Sequence, residues 1–176
     1  APASRTCSSD ARTVEDVEQC VRAVRSETPE SRGLHGVGMR RDVGYVLEVG
    51  KPSFVQALDE AVVAIMIEKR EAFDSLDAIL SVPGVDMVQF GPADFAMSIG
   101  MAGQMTHPRV REAEEHVIQT ALKKGIQPRA EITYPSQAER YLNLGVKHFC
   151  IGWDVSILYA WWKENGSAMR ELLLSV

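Results

Sequence analysis

Two acidic residues follow the ends of two predicted strands. Glu68 comes directly after the apolar run 62–67, and Asp94 lies four residues after the run that ends at Phe90. In a parallel sheet the strand ends and the loops after them meet at one edge, so both carboxylates are expected at that edge if the strands are neighbours. Hard cations such as Mg²⁺ and Mn²⁺ prefer oxygen ligands. The spacing therefore offers a divalent metal site.

A structural interpretation of the same residues stays open. Glu68 would cap the helix that follows it, and Asp94 would be an N-terminal cap of the short helix after the second strand. Spacing alone does not separate this alternative from the metal site. As metal ligands, two carboxylates would leave coordination positions for water and a bidentate oxo-acid, which is what a Lewis-acid enolisation site needs.

The turn that carries Asp94 offers a second feature, an anion-binding helix start. Gly91 would permit an unusual backbone angle, and Pro92 would stiffen the turn. The amides of Ala93 and Asp94 would then point outward at a helix N-terminus, where a substrate carboxylate can dock. The sequence Gly-Pro-Ala-Asp is a weak motif by itself, because many helix starts resemble it.

Short β-branched runs alternate with helical periodicity from residue 62 onward, which is the pattern of βα units around a parallel sheet. A capping box at Thr13 predicts a helix that continues to Arg25. A further short helix is predicted over 53–60. The predicted strands are 62–67, 86–90, 126–132 and 147–151, and the helices after them are 70–80, 93–99, 108–124, one that ends at 144, and 155–174.

The fold class predicted from this pattern is α/β, as a single domain over 1–176 with a long loop region at 26–60. Four βα units and a preceding helix make half of an eight-unit barrel, whose usual length is ~250 residues. A doubly wound open sheet would suit the length better, but no G-x-G-x-x-G turn follows any predicted strand. Length favours the open sheet, whereas the motifs favour the barrel.

Composition excludes several function classes. The formal net charge is −5, and no basic cluster extends beyond Arg40 and Arg41, so a nucleic acid partner is not expected. No apolar run approaches the ~20 residues of a membrane span. The 3 cysteines are odd in number and widely spaced, which favours reduced thiols. These features predict a cytoplasmic protein.

Several stretches together resemble the HpcH/HpaI aldolase family. That family includes 2,4-dihydroxyhept-2-ene-1,7-dioate aldolases and 2-keto-3-deoxy sugar acid aldolases. The resemblance covers at least residues 12–173, and its combination of motifs is specific although each piece alone is not. The motifs are MIEKREA at 66–72, ILSVPGVD at 79–86, GPADFAMSIG at 91–100 and the pair His107-Pro108.

The resemblance implies a metal-dependent carbon–carbon lyase. Glu68 and Asp94 would hold Mg²⁺ or Mn²⁺, with Co²⁺ as a further option, and the amides of Ala93 and Asp94 in the turn from Gly91 and Pro92 would hold the pyruvate carboxylate. A metal-bound pyruvate enolate would add to an aldehyde, or be released from a 2-keto-4-hydroxy acid. The final helix, with Trp161 and Trp162, implies a homo-oligomer.

The resemblance also implies a partial (β/α)₈ TIM-type barrel. Ala1 and Pro2 would end the fourth strand, and the predicted strands would be the fifth to the eighth, together with the helix after strand four. No residue here matches the family's His-Asp pair or its keto-polarising arginine, which belong to the first four units. His35 is the candidate for a replacement catalytic group, with a solvated loop histidine as the alternative.

Two other functions stay open. The chain could be a catalytically impaired half-barrel that acts only as an assembly unit through exposed strand edges. It could also be a relative of citrate lyase or malyl-CoA lyase, which share the barrel and the two carboxylates. A malyl-CoA lyase relative would need a basic patch for CoA, and the sequence offers none.

Overall fold

The computed structural model describes residues 5–7, 10–38 and 50–175. The predicted strand end at Ala1 and Pro2 and the pair Arg40-Arg41 lie outside these residues, as does part of the predicted 26–60 loop region. Within them the protein is built around one parallel sheet, with helices in the connections between strands.

Five parallel strands form the sheet, and each lies beside its neighbour in sequence. This order is the result of successive βα connections that all step in the same direction across the sheet. The register aligns Ile65 with Val88, and Gln89 with Arg129. The strands are β1 (Arg5–Cys7), β2 (Val63–Ile67), β3 (Met87–Phe90), β4 (Gln127–Ile132) and β5 (His148–Ile151).

Eight α-helices are described, and most of them connect the strands. A short 3₁₀ helix, Pro135–Gln137, precedes α7. The helices are α1 (Val14–Val24), α2 (Pro52–Asp59), α3 (Arg70–Asp74), α4 (Leu76–Ile79), α5 (Pro92–Ser98), α6 (Pro108–Lys123), α7 (Ala138–Asn143) and α8 (Asp154–Leu174).

The predicted elements agree closely with the observed ones. All four predicted strands are confirmed to within one residue. The capping box is also confirmed, since Asp16 N donates to Thr13 Oγ1 at 3.2 Å and Thr13 N donates to Asp16 Oδ2 at 3.0 Å. The continuous helix predicted over 70–80 is wrong, because Ser75, at φ −104° and ψ 17°, separates α3 from α4. The three-residue strand β1 was not predicted.

The apolar core lies on the helix-covered face of the sheet. Alternate residues of β2 are fully buried there, and side chains of α1, α4 and α6 pack against them. Burying apolar area at about 25 cal/mol per Å² is the main stabilising contribution of such a layer. Fully buried large side chains of this core include Val17, Val63, Ile65, Ile67, Ile79, Val88 and Val117.

A polar network fixes the amino ends of β2 and β3. Arg25 donates to the carbonyl oxygens of Asp59 at 2.9 Å and Gly84 at 3.2 Å. Asp86 Oδ2 accepts from Val63 N at 2.8 Å and lies 3.3 Å from Arg25 Nη2. The arginine thereby satisfies carbonyl groups that would otherwise be left without donors at the sheet edge.

The last helix, α8, packs little against the other described residues. None of its described residues is buried. Its apolar side chains are 54–88% exposed, and they include Leu158, Trp161, Trp162 and Leu172. None of the helices within the described residues has the length and hydropathy of a membrane-crossing segment.

Candidate carboxylate site at the carboxyl edge of the sheet

Glu68 and Asp94 lie at the same edge of the sheet. Glu68 follows the last residue of β2 and is only 4% exposed. Gly91 N donates to Ile67 O at 3.0 Å, which keeps the end of β3 beside the end of β2. Asp94 belongs to the first turn of α5, directly after β3. The structure thus brings together the two carboxylates that the sequence selected.

Lys69 connects these carboxylates. Its Nζ donates to Asp94 Oδ1 at 3.0 Å and lies 3.8 Å from Glu68 Oε1. The same ammonium lies 3.3 Å from Oδ1 of Asp10, a residue just upstream of α1. Three acidic side chains therefore surround one lysine cation whose side chain is only 12% exposed.

The electrostatics of Glu68 reflect this arrangement. Burial raises the pKa of the Glu68 carboxyl, and the negative charge of Asp94 raises it further, while the ammonium of Lys69 opposes both effects. A buried carboxylate beside a second carboxylate is costly unless a cation compensates for it. The site is therefore an anionic pocket that requires positive charge.

Gly91 makes room for Glu68. A Cβ atom added at residue 91 would stand 2.7 Å from both Cβ and Oε2 of Glu68. The predicted unusual backbone angle is wrong, because Gly91 has φ −105° and ψ 89°, a negative φ that other residues tolerate. The glycine is required by close approach to the carboxylate and not by its own conformation.

Comparison with known proteins decides the family. The sequence profile of the HpcH/HpaI aldolase/citrate lyase family matches residues 10–159. The chain belongs to the HpcH/HpaI aldolase/citrate lyase family. The match includes Glu68, Asp94, Lys69 and Asp10, so the whole site described above lies within the family region.

Relatives of this family member carry aldolase names. It is 35% identical over 147 residues to 4-hydroxy-2-oxo-heptane-1,7-dioate aldolase of Shigella flexneri, a match that covers 82% of this chain and 54% of the relative. The enzyme of that name from Klebsiella pneumoniae is 34% identical over 145 residues, with 82% and 55% covered. The chain spans about half the length of the curated relatives it matches.

Solved structures of the same family share the fold. A HpcH/HpaI aldolase/citrate lyase family protein from Burkholderia cenocepacia has a TM-score of 0.76 at 28% identity, covering 94% of this chain and 63% of that one. The HpcH/HpaI aldolase of Desulfitobacterium hafniense has a TM-score of 0.76 at 26% identity, with 92% and 61% covered. Both support the α/β architecture with a parallel sheet.

The helix start beside the site is the one at which the sequence predicts a substrate carboxylate to dock. No described side chain caps the N-terminus of α5, which begins at Pro92. The carbonyl oxygen of Gly91 accepts from Phe95 N at 3.0 Å and so begins the helical hydrogen bonds. The amides of Ala93 and Asp94 come before that first bond, as expected for the first residues of any helix.

His35 lies at the other end of the sheet. Its N donates to Arg25 O at 3.0 Å, and its O accepts from Glu27 N at 3.0 Å, so its strand segment lies against the Arg25 network. The residue is 3% exposed, and its ring contacts Phe54 edge-on at 6.4 Å. The length of β2, roughly 16 Å at about 3.3 Å per residue, separates that end from Glu68. The structure does not bring His35 to the carboxylates.

A polar row on the face of the sheet opposite the apolar core was not predicted. Arg129 Nε donates to Gln89 Oε1 at 2.6 Å, and Gln89 Nε2 donates to Glu131 Oε2 at 3.2 Å. Extending the register by one step between β2 and β3 aligns Glu68 with Gly91, and extending it by two steps between β3 and β4 aligns Gly91 with Glu131, so both glutamates lie in one layer. The signal in the sequence was the alternation along β4 of the polar residues Gln127, Arg129 and Glu131 with residues that are buried in the structure.

A cleft of about 770 Å³ lies beside the site, between β3, β4, α6 and α8. It reaches the candidate site through Pro92 and Ala93, and the polar residues Arg129 and Glu131 also line it. Its remaining lining is mainly apolar, which is typical of a cavity that accepts a small organic molecule.

The donor set at the carboxyl edge fits a hard divalent cation. Glu68 and Asp94 supply carboxylate oxygens, and the ammonium of Lys69 already lies between them as a cation. Among the described residues, no three His, Cys, Asp or Glu side chains are placed to hold one metal ion. Glu68 and Asp94 are therefore candidate ligands, and a metal held there would complete its coordination with water and substrate oxygens.

Proposed function

We propose that this chain supplies the carboxyl-terminal half of a metal-dependent aldolase. The single observation that carries the proposal is that Glu68 and Asp94 lie together around the Lys69 ammonium at the carboxyl edge of a parallel sheet. That edge is where enzymes built on parallel βα units have their active sites. The aldolase names of the relatives support the same reading.

The proposed architecture is part of a (β/α)₈ barrel. The four strands β2 to β5 with their helices would be units five to eight, and β1 followed by α1 would be unit four. Support comes from the strand order, which runs in sequence across the sheet as in a barrel wall. Coverage of 63% and 61% of the two aldolase-family structures agrees with a partial barrel.

In this proposal Glu68 and Asp94 hold Mg²⁺ or Mn²⁺, with Co²⁺ as a third candidate. The metal, when bound, would polarise the keto oxygen of the substrate. Gly91 gives Glu68 the space that it needs. The amides of Ala93 and Asp94, at the uncapped start of α5, would receive the carboxylate of pyruvate.

The reaction proposed is a reversible aldol addition. A proton leaves the methyl carbon of pyruvate, the resulting carbon nucleophile attacks the carbonyl carbon of an aldehyde, and the aldehyde oxygen takes up a proton. The product is a 2-keto-4-hydroxy acid, and cleavage runs the same steps backward. The names of the relatives, which specify a 4-hydroxy-2-oxo dicarboxylic acid, agree with this product class.

By the family resemblance, the His-Asp pair for proton transfer and the keto-polarising arginine would belong to the first four barrel units. His35 would be the local substitute, but its position against Arg25 and Phe54 at the amino edge of the sheet supports a packing role instead. General bases contribute typically 10²–10⁴-fold to rate. The chain alone is therefore proposed to be a weak catalyst of the complete aldol reaction.

We further propose that the protein is a homo-oligomer assembled through α8. The apolar side chains of this helix are exposed, and Trp161 lies edge-on to Trp162 at 4.7 Å. An exposed row of large apolar side chains is typical of a surface that another protein covers. The partner proposed is a second copy of the chain. The alternative function, a half-barrel that acts as an assembly unit, would also involve association of copies.

Oxaloacetate decarboxylation tests the metal and keto-acid part of this function separately. Decarboxylation needs a polarised keto group but no base to remove a methyl proton. With Mn²⁺ present, we expect the chain to accelerate loss of oxaloacetate, and we expect Glu68→Gln to lower that rate roughly hundredfold. Glu71→Gln is the matched control, since Glu71 lies on α3 with its side chain 51% exposed. Equal rates in all three proteins and in Mn²⁺ alone would refute the proposal.

A further inference from the structure

Lys69 has a position that the proposed function does not use. Its side chain is 12% exposed, and its Nζ lies 3.0 Å from Asp94 Oδ1, 3.8 Å from Glu68 Oε1 and 3.3 Å from Asp10 Oδ1. Two of these three oxygens belong to the proposed metal ligands. A fixed ammonium therefore lies against the oxygen atoms that a metal would bind.

The ammonium and a divalent cation would compete for this place. An oxygen-coordinated Mg²⁺ or Mn²⁺ requires contacts much shorter than those of an ammonium, at about 2.0–2.2 Å for Mg²⁺. Two cations sharing Asp94 Oδ1 and Glu68 Oε1 would repel each other, most strongly beside Glu68, whose side chain is only 6% exposed and whose surroundings have a low effective dielectric constant. Full engagement of the metal thus requires Lys69 to withdraw.

Asp10 supplies the place to which Lys69 can withdraw. Its side chain is 72% exposed, whereas that of Glu68 is 6% exposed, so Asp10 lies on the solvent side of the ammonium. A lysine side chain has a flexible four-carbon stem, so its ammonium can shift toward Asp10 without movement of the backbone. The ion pair with Asp10 would be kept, while those with Glu68 and Asp94 would be released.

We propose that Lys69 is a built-in counter-ion that holds the two carboxylates together in the metal-free protein and yields its place to the divalent cation. This inference rests on the proposed function, because it takes Glu68 and Asp94 as the metal ligands. Lys69 is a positioning residue and makes no contact with substrate. Its charge lowers the affinity of the site for metal, and its ion pairs keep the empty site folded.

A merely structural role would have the opposite effect on metal binding. If Lys69 only oriented Asp94 and Glu68, its removal would disorder the ligands and weaken metal binding. If Lys69 competes with the metal, its removal strengthens binding. The sign of the change in affinity therefore separates the two roles.

Calorimetric titration of Mn²⁺ into the 176-residue chain is the test. The neutral variants Lys69→Met and Lys69→Gln are both expected to bind Mn²⁺ at least about tenfold more tightly than the wild-type chain. Lys69→Arg, which keeps the charge, is expected to bind no more tightly than wild type. Lys124→Met is the matched control, because Lys124 pairs with Asp77 at 3.3 Å and the substitution changes the net charge equally.

Thermal melting gives a second measurement that does not depend on turnover. In EDTA, Lys69→Met is expected to melt below the wild-type chain, since three acidic groups lose their shared cation. Saturating Mn²⁺ is expected to raise its melting temperature more than that of wild type. Either neutral variant suffices for the titration if the other does not fold.

The outcomes also separate this inference from the proposed function. Mn²⁺ binding to wild type that requires Glu68, with equal or weaker binding to both neutral variants, would overturn the role of Lys69 alone. Absence of Glu68-dependent binding in wild type and in both variants would overturn the metal site and the inference together. Binding that appears only in the neutral variants would support the inference strongly.

Discussion

A Cβ atom at residue 91 would lie 2.7 Å from Oε2 of Glu68, closer than real side chains approach. Glu68 is the buried carboxylate at the end of β2, and Gly91 is the residue between β3 and α5. Because the φ of Gly91 is −105°, the glycine is needed for space only. Its substitution consequently tests the position of the carboxylate.

Gly91→Ala is expected to displace Glu68 and weaken Mn²⁺ binding at least about tenfold, since ligand orientation is lost. The free energy of unfolding should fall by about 1–3 kcal/mol, as for other overpacked sites. Urea unfolding and Mn²⁺ titration measure the two effects. Gly166→Ala in α8 is the control, because nothing lies within 4 Å of its added Cβ. That variant should keep its metal affinity and gain about 0.5–1 kcal/mol.

His35→Ala tests the separation between the two ends of the sheet. The side chain is buried and its ring contacts Phe54, so its loss should lower the free energy of unfolding by roughly 2–4 kcal/mol. Mn²⁺ affinity and oxaloacetate decarboxylation should stay at wild-type values where the variant is folded. Loss of decarboxylation with unchanged stability would instead give His35 a catalytic role.

Tyr141 makes stability depend on alkaline pH. Burial, the negative charge of Glu114 and the hydrogen bond that the phenol donates to Glu114 Oε1 at 2.9 Å together raise the pKa of Tyr141 from 10.0 to about 12. A raised folded-state pKa means that this contribution to stability is complete below the unfolded value of 10.0 and is lost as pH rises toward 12.

The stability difference between wild type and Tyr141→Phe should therefore shift against wild type as pH rises through this window. Urea unfolding at about pH 9 and about pH 11.5 measures the shift. The tyrosinate absorbance that Tyr141→Phe removes identifies the group directly. If the difference spectrum between wild type and Tyr141→Phe titrates near the ordinary tyrosine pKa of 10.0, Tyr141 is not buried beside Glu114 as described.

The exposed face of α8 predicts self-association. Light scattering after size exclusion should give the wild-type chain a mass that is a multiple of 19.4 kDa. A double variant, Trp161→Asp with Trp162→Asp, should shift the mass to the monomer, because charges replace the apolar contact. Lys163→Ala on the same helix is the control and should stay associated. A monomeric wild-type chain at micromolar concentration would contradict the proposed assembly.

Local sequence predicted most of the fold because most of it is locally determined. The run 62–67 is a continuous apolar stretch rich in β-branched residues, and the run 126–132 is bounded by Gly125 and Pro135. The α3–α4 break at Ser75 was missed, since the apolar periodicity continues across it. Strand β1 is three residues long and gains its order by pairing with β2, which a local pattern cannot reveal.

The candidate site was predictable only in part. Position after a predicted strand identified both Glu68 and Asp94. Lys69 was missed because its partners Asp94 and Asp10 are 25 and 59 residues away in the sequence, and only the tertiary fold brings them together. The Gly91 contact was likewise hidden, since it depends on how closely β2 and β3 approach.

Mn²⁺ binding, followed by loss of the free-ion electron paramagnetic resonance signal, tests the central claim most directly. The proteins to compare are wild type, Glu68→Gln, Asp94→Asn and the control Glu71→Gln. The proposed metal site predicts binding by wild type and Glu71→Gln, with a Kd raised at least about tenfold in the other two. The same loss of free Mn²⁺ signal in all four proteins would contradict it.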